Sequence, residues 1–90
     1  MSASSLMSSP AGAILTRLIQ PDESDLSPEA AKVFLSFAFS QRDRARMTEL
    51  SDKNTIGELS SADRLELDSY LQIGMILDLL QAKARLSLAP

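Results

Sequence analysis

The segment from Asp52 to Asp63 has the spacing of a calcium-binding loop between two predicted helices. In an EF-hand, oxygen ligands at fixed positions surround the ion, and a glycine at the sixth position allows a sharp turn. The residues that match this pattern are Asp52, Asn54, Gly57 and Asp63. Ile56, however, takes the fifth position, where the ion needs an oxygen ligand. A helix end at Gly57 and a helix start at Ser60 explain the same residues, so we favour a structural interpretation.

Two clusters of carboxylates could perform acid–base catalysis or bind magnesium. One lies at 22–25, in the acidic, turn-like sequence PDESDL, and the other lies at 63–68, in the first turns of a predicted helix. Acidic residues are favourable at helix starts, and those of a linker are solvated. The chain has no histidine and no cysteine, which removes the commonest general base and the thiolate metal ligands. We therefore expect a non-enzymatic protein without a cofactor.

Arg42 and Arg46 lie one helical turn apart and could contact the phosphates of DNA. The formal net charge of the chain is −3, and acidic residues are interspersed among these arginines. Proteins that bind nucleic acid usually have a positively charged surface, so the charge argues against nucleic acid as the main ligand. A DNA-binding regulator that uses these two arginines remains the alternative function.

The longest predicted element is a helix that starts at Ser60 and runs to the C-terminus. Because each residue turns a helix by about 100°, the apolar residues of this helix fall on two stripes. One stripe consists of Tyr70, Ile73, Ile76, Leu77, Leu80 and Ala84, and the other of Leu71, Met75, Leu79, Ala82 and Leu86. A rod of about 28 residues is about 40 Å long and extends beyond a domain of this size.

A second apolar stripe predicts a partner, because a helix in a small monomer needs only one apolar face. We assign five residues to an interface with a second copy of the chain: Leu71, Met75, Leu79, Ala82 and Leu86. The residues assigned to the core are Phe34, Leu50, Tyr70, Ile73, Leu77 and Leu80. Two alternatives stay open. The stripes could have the reverse roles, or three short helices could wrap the long one within a monomer.

Ninety residues allow one small domain. The first residues are rich in serine and alanine and lack the basic start and apolar run of a signal peptide. We expect a flexible tail at 1–12 and a single helical domain at 13–90. No run of about 18 apolar residues is present, so we expect no membrane span. The lack of cysteine fits a reducing compartment, and we expect a cytoplasmic location.

Three short helices are predicted before the long one. The first ends before Pro21, since proline disfavours helical geometry in the preceding residue. Ser27 and Pro28 begin the second, which we expect to run to about Ala38, and Ser40 begins the third. The predicted fold is all-α, with three short helices packed on one long C-terminal helix.

Three segments carry a resemblance to a set of small, uncharacterised bacterial proteins. They are DLSPEAA near the second helix start, DRARMTEL in the third helix and LLQAKARLSL at the end. The likeness extends from about Leu15 to Leu88, and the matching closing residues are Gln81, Lys83, Ala84, Arg85, Ser87 and Leu88. The resemblance implies an all-helical fold but no activity. Some of these proteins are encoded beside HNH-type nucleases, which implies a protein partner such as a nuclease.

These features together predict a non-enzymatic, helical protein-interaction module that forms a homodimer through its long helix or lays that helix against another protein. An accessory protein or an antitoxin-like regulator would fit this description.

Overall fold

The computed structural model describes residues 10–90, which fold into α-helices and contain no strand. The helices are α1 (Pro10–Ile19), α2 (Pro28–Ser36), α3 (Gln41–Thr55) and α4 (Ser61–Leu88). Each of the three shorter helices packs against α4, and none of them packs against another within the described residues. The predicted all-α fold, with short helices on a long C-terminal one, is confirmed. Over residues 10–90, none of the helices has both the length and the apolar character that a membrane span requires.

Three serines begin α2, α3 and α4 as predicted. The Ser27 hydroxyl accepts a hydrogen bond from the backbone N–H of Ala30, and Pro28 takes the first helical position. Ser40 caps α3 in the same way, and Ser60 forms a reciprocal capping box with Asp63 at the start of α4. Each cap satisfies backbone N–H groups that the first turn of a helix leaves without partners.

Two helix boundaries differ from the predictions. α1 begins at Pro10, inside the predicted tail at 1–12, because a proline suits the first position of a helix. Residues 1–9 of that tail lie outside the described residues. α2 ends at Ser36 instead of about Ala38, and the backbone of Phe37 is already extended.

The molecule is long and thin because α4 determines its length. Its principal extents are 46 × 31 × 16 Å and its radius of gyration is 15.2 Å, whereas a compact domain of this length has a radius of about 12 Å. The buried apolar residues are Ala31, Leu50, Leu67, Met75 and Ala84. Such a small core covers only part of the apolar surface of α4.

In the middle of α4 the structure buries a different side from the side assigned to the core, whereas Ala84, at the C-terminal end of the Ile73 stripe, is fully buried. Met75, assigned to the interface, is only 8% exposed, whereas Ile73, assigned to the core, is 54% exposed. The physical reason is that the short helices cover Leu67 and Met75, which lie eight residues apart, with the half-buried Leu71 midway between them. Leu50 is fully buried, as predicted.

The other assigned residues have intermediate positions. From the core set, Phe34, Tyr70, Leu77 and Leu80 are half-buried. From the interface set, Leu71 and Leu79 are half-buried, and Ala82 and Leu86 are exposed. The stripe that contains Ile73 therefore has the larger open surface in the middle of α4.

We expect Gly57 and Gly74 to respond in opposite ways to alanine. Gly57 ends α3 with φ of 72°, so Gly57→Ala should lower the free energy of unfolding by about 1 kcal/mol. Gly74 lies inside α4, where an added Cβ would meet Phe39 Cε2 at an ordinary contact distance of 3.9 Å. Gly74→Ala should raise the free energy of unfolding by about 1 kcal/mol. Urea unfolding measures both changes. A lower free energy of unfolding in Gly74→Ala would contradict the conclusion that the space beside Phe39 can hold an added Cβ.

Candidate functional site

An apolar groove lies along the open side of α4. One wall consists of α4 side chains, and the other is the extended segment 37–39 that connects α2 to α3. The groove has a volume of about 270 Å³, and every residue that lines it is apolar. These residues are Phe37, Ala38, Phe39, Ile73, Ile76, Leu77 and Leu80. A surface of this composition is suited to bind another apolar surface and offers no group for catalysis.

The groove continues toward the start of α4. An adjoining recess of about 200 Å³ shares Phe39 and Ile73 with it and adds Glu66, Ser69 and Tyr70. Glu66 and Leu80 mark the two ends of the combined surface. At a rise of about 1.5 Å per residue, this surface is about 21 Å long. This length suits three to four turns of a second helix.

Contacts to α4 hold the connecting segment 37–39 in place. The Gln81 side-chain amide donates hydrogen bonds to the backbone oxygens of Phe34 at 3.1 Å and Phe37 at 2.7 Å. The rings of Phe39 and Tyr70 pack edge to face, with 5.9 Å between their centroids. Phe39 also lies over Gly74, where it leaves room for a Cβ at an ordinary contact distance of 3.9 Å. The groove is therefore a fixed feature of the fold.

Sequence reasoning missed the wall formed by 37–39. Phe37 and Ala38 were expected inside the second helix, where they would continue its apolar face. The signal that could have revealed this wall is a run of three apolar residues directly before the cap Ser40. Apolar residues in a connection indicate that it packs against another element.

Polar contacts attach the α1–α2 connection to the C-terminal part of α4. Lys83 is buried, and its Nζ donates a hydrogen bond to the Ile19 carbonyl at 2.8 Å and pairs with Asp25 at 2.6 Å. The hydrogen bond from Lys83 to the Asp25 carboxylate lowers the pKa of Asp25. The Ser87 hydroxyl accepts from the Leu26 N–H at 3.2 Å. Two of the closing residues that carry the resemblance, Lys83 and Ser87, thus attach the α1–α2 connection to α4.

Arg46 is enclosed by carboxylates at the other end of the groove. Its guanidinium donates to Glu66 at 2.8 and 3.0 Å and to Asp63 at 3.1 Å, and it also pairs with Glu49 at 3.1 Å. The hydrogen bond to Glu66 raises the pKa of Arg46 and lowers that of Glu66. These contacts occupy most of the donors of Arg46 within the protein, which argues against phosphate contact at this residue.

Arg42 remains exposed beside the same end of the groove and forms no ion pair with the described residues. It lines an open recess together with Asp43, Glu66 and Tyr70. Tyr70 donates a hydrogen bond to Asp43 at 2.8 Å, and this bond raises the pKa of the phenol. A recess with two carboxylates repels phosphate more than a purely basic surface does.

The calcium-loop spacing does not form a calcium site. Asp52 and Asn54 lie within α3, and Asp63 lies in the first turn of α4. Burial acts to raise the pKa of Asp63, but the backbone hydrogen bond from Ser60 and the charge of Lys53 lower it overall. Within residues 10–90, no three acidic side chains converge on a point that could hold an ion.

We expect the free energy of unfolding to fall in acid. The pKa values of Asp25, Asp63 and Glu66 are lowered in the folded protein, so their stabilising contribution is present at neutral pH. Folded chains bind protons less tightly at these groups than unfolded chains, and the contribution is lost as the pH falls from about 5 to about 2. Urea unfolding at several pH values measures this loss.

Glu66→Gln should make the free energy of unfolding depend less steeply on pH in acid, because it removes one of the titrating groups. Glu58→Gln is the matched control, since Glu58 is exposed and has no ion pair within the described chain. A steeper slope in Glu66→Gln than in the unchanged protein would contradict the stabilising role of its contact with Arg46.

Comparisons of this chain with protein-family models, with characterised proteins and with solved structures find no match. The groove and the residues around it are therefore the basis for assigning a function.

Proposed function

We propose that this protein is a non-enzymatic, helical interaction module that associates with a second copy of itself through the open side of α4. The observation that carries the proposal is the groove, whose lining is entirely apolar and includes Ile73 at 54% and Phe37 at 48% exposure. Exposed apolar surfaces of this kind usually mark sites of protein–protein interaction.

The exposed apolar side chains of the groove support association. A standard interface removes about 800 Å² from each partner. Covering the groove would also bury Ile73 and Phe37, and complete burial of a large apolar side chain contributes about 1.5–3 kcal/mol.

A role as an accessory protein or an antitoxin-like regulator fits this proposal, because such proteins act by binding other proteins. The resemblance to proteins encoded beside nucleases suggests a nuclease as a further partner. The expected cytoplasmic location rests on the lack of cysteine in the chain.

Measurement of the mass in solution tests the proposal. The chain has a mass of 9.8 kDa, and sedimentation equilibrium from about 1 µM to about 1 mM covers the usual range of homodimer affinities. We expect the mass to double as the concentration rises. A mass that stays at that of one chain throughout would contradict self-association.

The alternative function, a DNA-binding regulator, now depends on Arg42 and its exposed neighbour Arg44. A gel shift at low salt tests it, because phosphate contacts weaken steeply as salt increases. We expect no shift with duplex DNA. A salt-sensitive shift that disappears in Arg42→Gln would favour the alternative over the interaction module.

A further inference from the structure

We propose that the two copies pair in an antiparallel orientation, with a two-fold axis that crosses α4 between Ile73 and Ile76. This inference rests on the proposed self-association and specifies its geometry. In such a dimer Arg42, at one end of the groove, lies near the partner's acidic connection at 20–27, at the other end of the partner's groove.

The spacing of the groove residues suits helix pairing. Ser69, Ile73, Ile76 and Leu80 follow one another at intervals of four, three and four residues, which is the spacing of the seam between two paired helices. About the proposed axis, Ile73 lies opposite the partner's Ile76, and Ser69 lies opposite the partner's Leu80. The antiparallel arrangement thus places both isoleucines at the centre, where the interface is most completely shielded from water.

Each end of the groove carries exposed charged side chains that have no partner within residues 10–90, and these differ in sign. At the end nearer the start of α4 this side chain is Arg42, in a recess whose other charged residues all have side-chain partners: Asp43, Arg46, Glu49 and Glu66. At the other end, Lys83 and Ser87 hold the connection at 20–27 against α4.

That connection carries Asp22 and Glu23, which are exposed and have no side-chain partner within the described residues. A parallel dimer would place like charges together, whereas an antiparallel dimer places Arg42 near the partner's acidic connection. Complementary charge of this kind selects one orientation over another.

The helix dipoles favour the same orientation. The positive end of α4 begins at Ser60 and Ser61, and the antiparallel arrangement places it opposite the negative end of the partner's α4, at Leu88. The dipoles of the two long helices also oppose each other, which is favourable for neighbouring helices.

Charge exchange across the interface tests the orientation. Arg42→Glu alone, and Asp22→Arg with Glu23→Arg alone, should each raise the dimer dissociation constant by about tenfold, because two symmetric contacts become repulsive. A mixture of the two variants should form a heterodimer as tight as the unchanged dimer, since both contacts in it pair opposite charges. All these positions are exposed, so the fold should tolerate the changes.

Failure of the mixture to associate more tightly than either variant alone would overturn the antiparallel orientation. If the unchanged protein does not dimerise at all, the proposed function fails instead, and the two failures are therefore distinguishable.

Disulfide formation gives a second readout, because the chain contains no cysteine of its own. In the antiparallel dimer the two copies of residue 73 are offset by only about 4.5 Å along the helix axis, and the two copies of residue 69 by about 16 Å. Ile73→Cys should therefore cross-link to its partner under mild oxidation, whereas Ser69→Cys should not. Cross-linking by Ser69→Cys would indicate a parallel dimer, and a dimer that cross-links through neither position would not use the groove. Either result would overturn the inference.

Discussion

Ile73→Glu is expected to dissociate the dimer while the four helices stay folded. Ile73 is 54% exposed in the single chain, so a glutamate there remains in water when the chain is alone. In the proposed dimer the same position lies near the two-fold axis and occurs twice, and a buried carboxylate without a partner is strongly unfavourable. We expect the dissociation constant to rise at least about 100-fold, equivalent to about 2.7 kcal/mol. Sedimentation equilibrium measures the constant, and circular dichroism measures the helix content.

Ile14→Glu is the matched control for this prediction. Ile14 is the same residue type, is 56% exposed and lies on α1, outside the groove. Both substitutions add the same charge at nearly equal exposure, so a difference between them reports the location of the interface. Equal weakening of the dimer by both would mean that net charge, not the groove, governs association. Stronger weakening by Ile14→Glu would place the interface on α1.

The starts of α2, α3 and α4 could be predicted from the sequence because they depend on residues that are close along the chain. Ser27, Ser40 and Ser60 each satisfy N–H groups only a few residues away. The positive φ of Gly57 is likewise a local property. Such features need no knowledge of the tertiary arrangement, so the number, type and order of the helices followed from the residues themselves.

The roles of the two α4 stripes could not be predicted in this way. Helical periodicity gives the angle of each side chain around α4, but it does not say on which side the short helices pack. That choice depends on long-range contacts, such as Gln81 with the backbone of Phe34 and Phe37, which are more than forty residues away in sequence. Met75 and Ile73 are therefore equally good core residues on periodicity alone.

Polar residues on apolar faces were the least predictable. Lys83 is a charged residue near the end of a helix, where a favourable interaction with the helix dipole is the simplest interpretation. The structure instead buries it, because the Ile19 carbonyl and Asp25 supply the partners that a buried cation needs. Arg46 resembles Arg42 in sequence context, yet only Arg46 meets Glu66 and Asp63 of α4.

Met75→Glu is expected to unfold the protein, in contrast to Ile73→Glu two residues earlier. Met75 is 8% exposed in the single chain, so a glutamate there must lose most of its water before any dimer forms. Burial of an unpaired carboxylate costs several kcal/mol, and a domain of this size has a total stability of about 5 kcal/mol. We expect loss of most helix signal in circular dichroism at neutral pH and 25 °C.

Met75→Leu is the control that separates the effect of a buried charge from the effect of losing the methionine side chain. This substitution nearly conserves volume and should lower the free energy of unfolding by less than about 1.5 kcal/mol. The buried set is small, so few other contacts can compensate for a damaged position on α4. If Met75→Glu kept its helix content and lost only association, Met75 would belong to the interface and the groove around Ile73 to the core. The pair of glutamate variants therefore separates the two assignments of the stripes, since each assignment predicts that a different one unfolds.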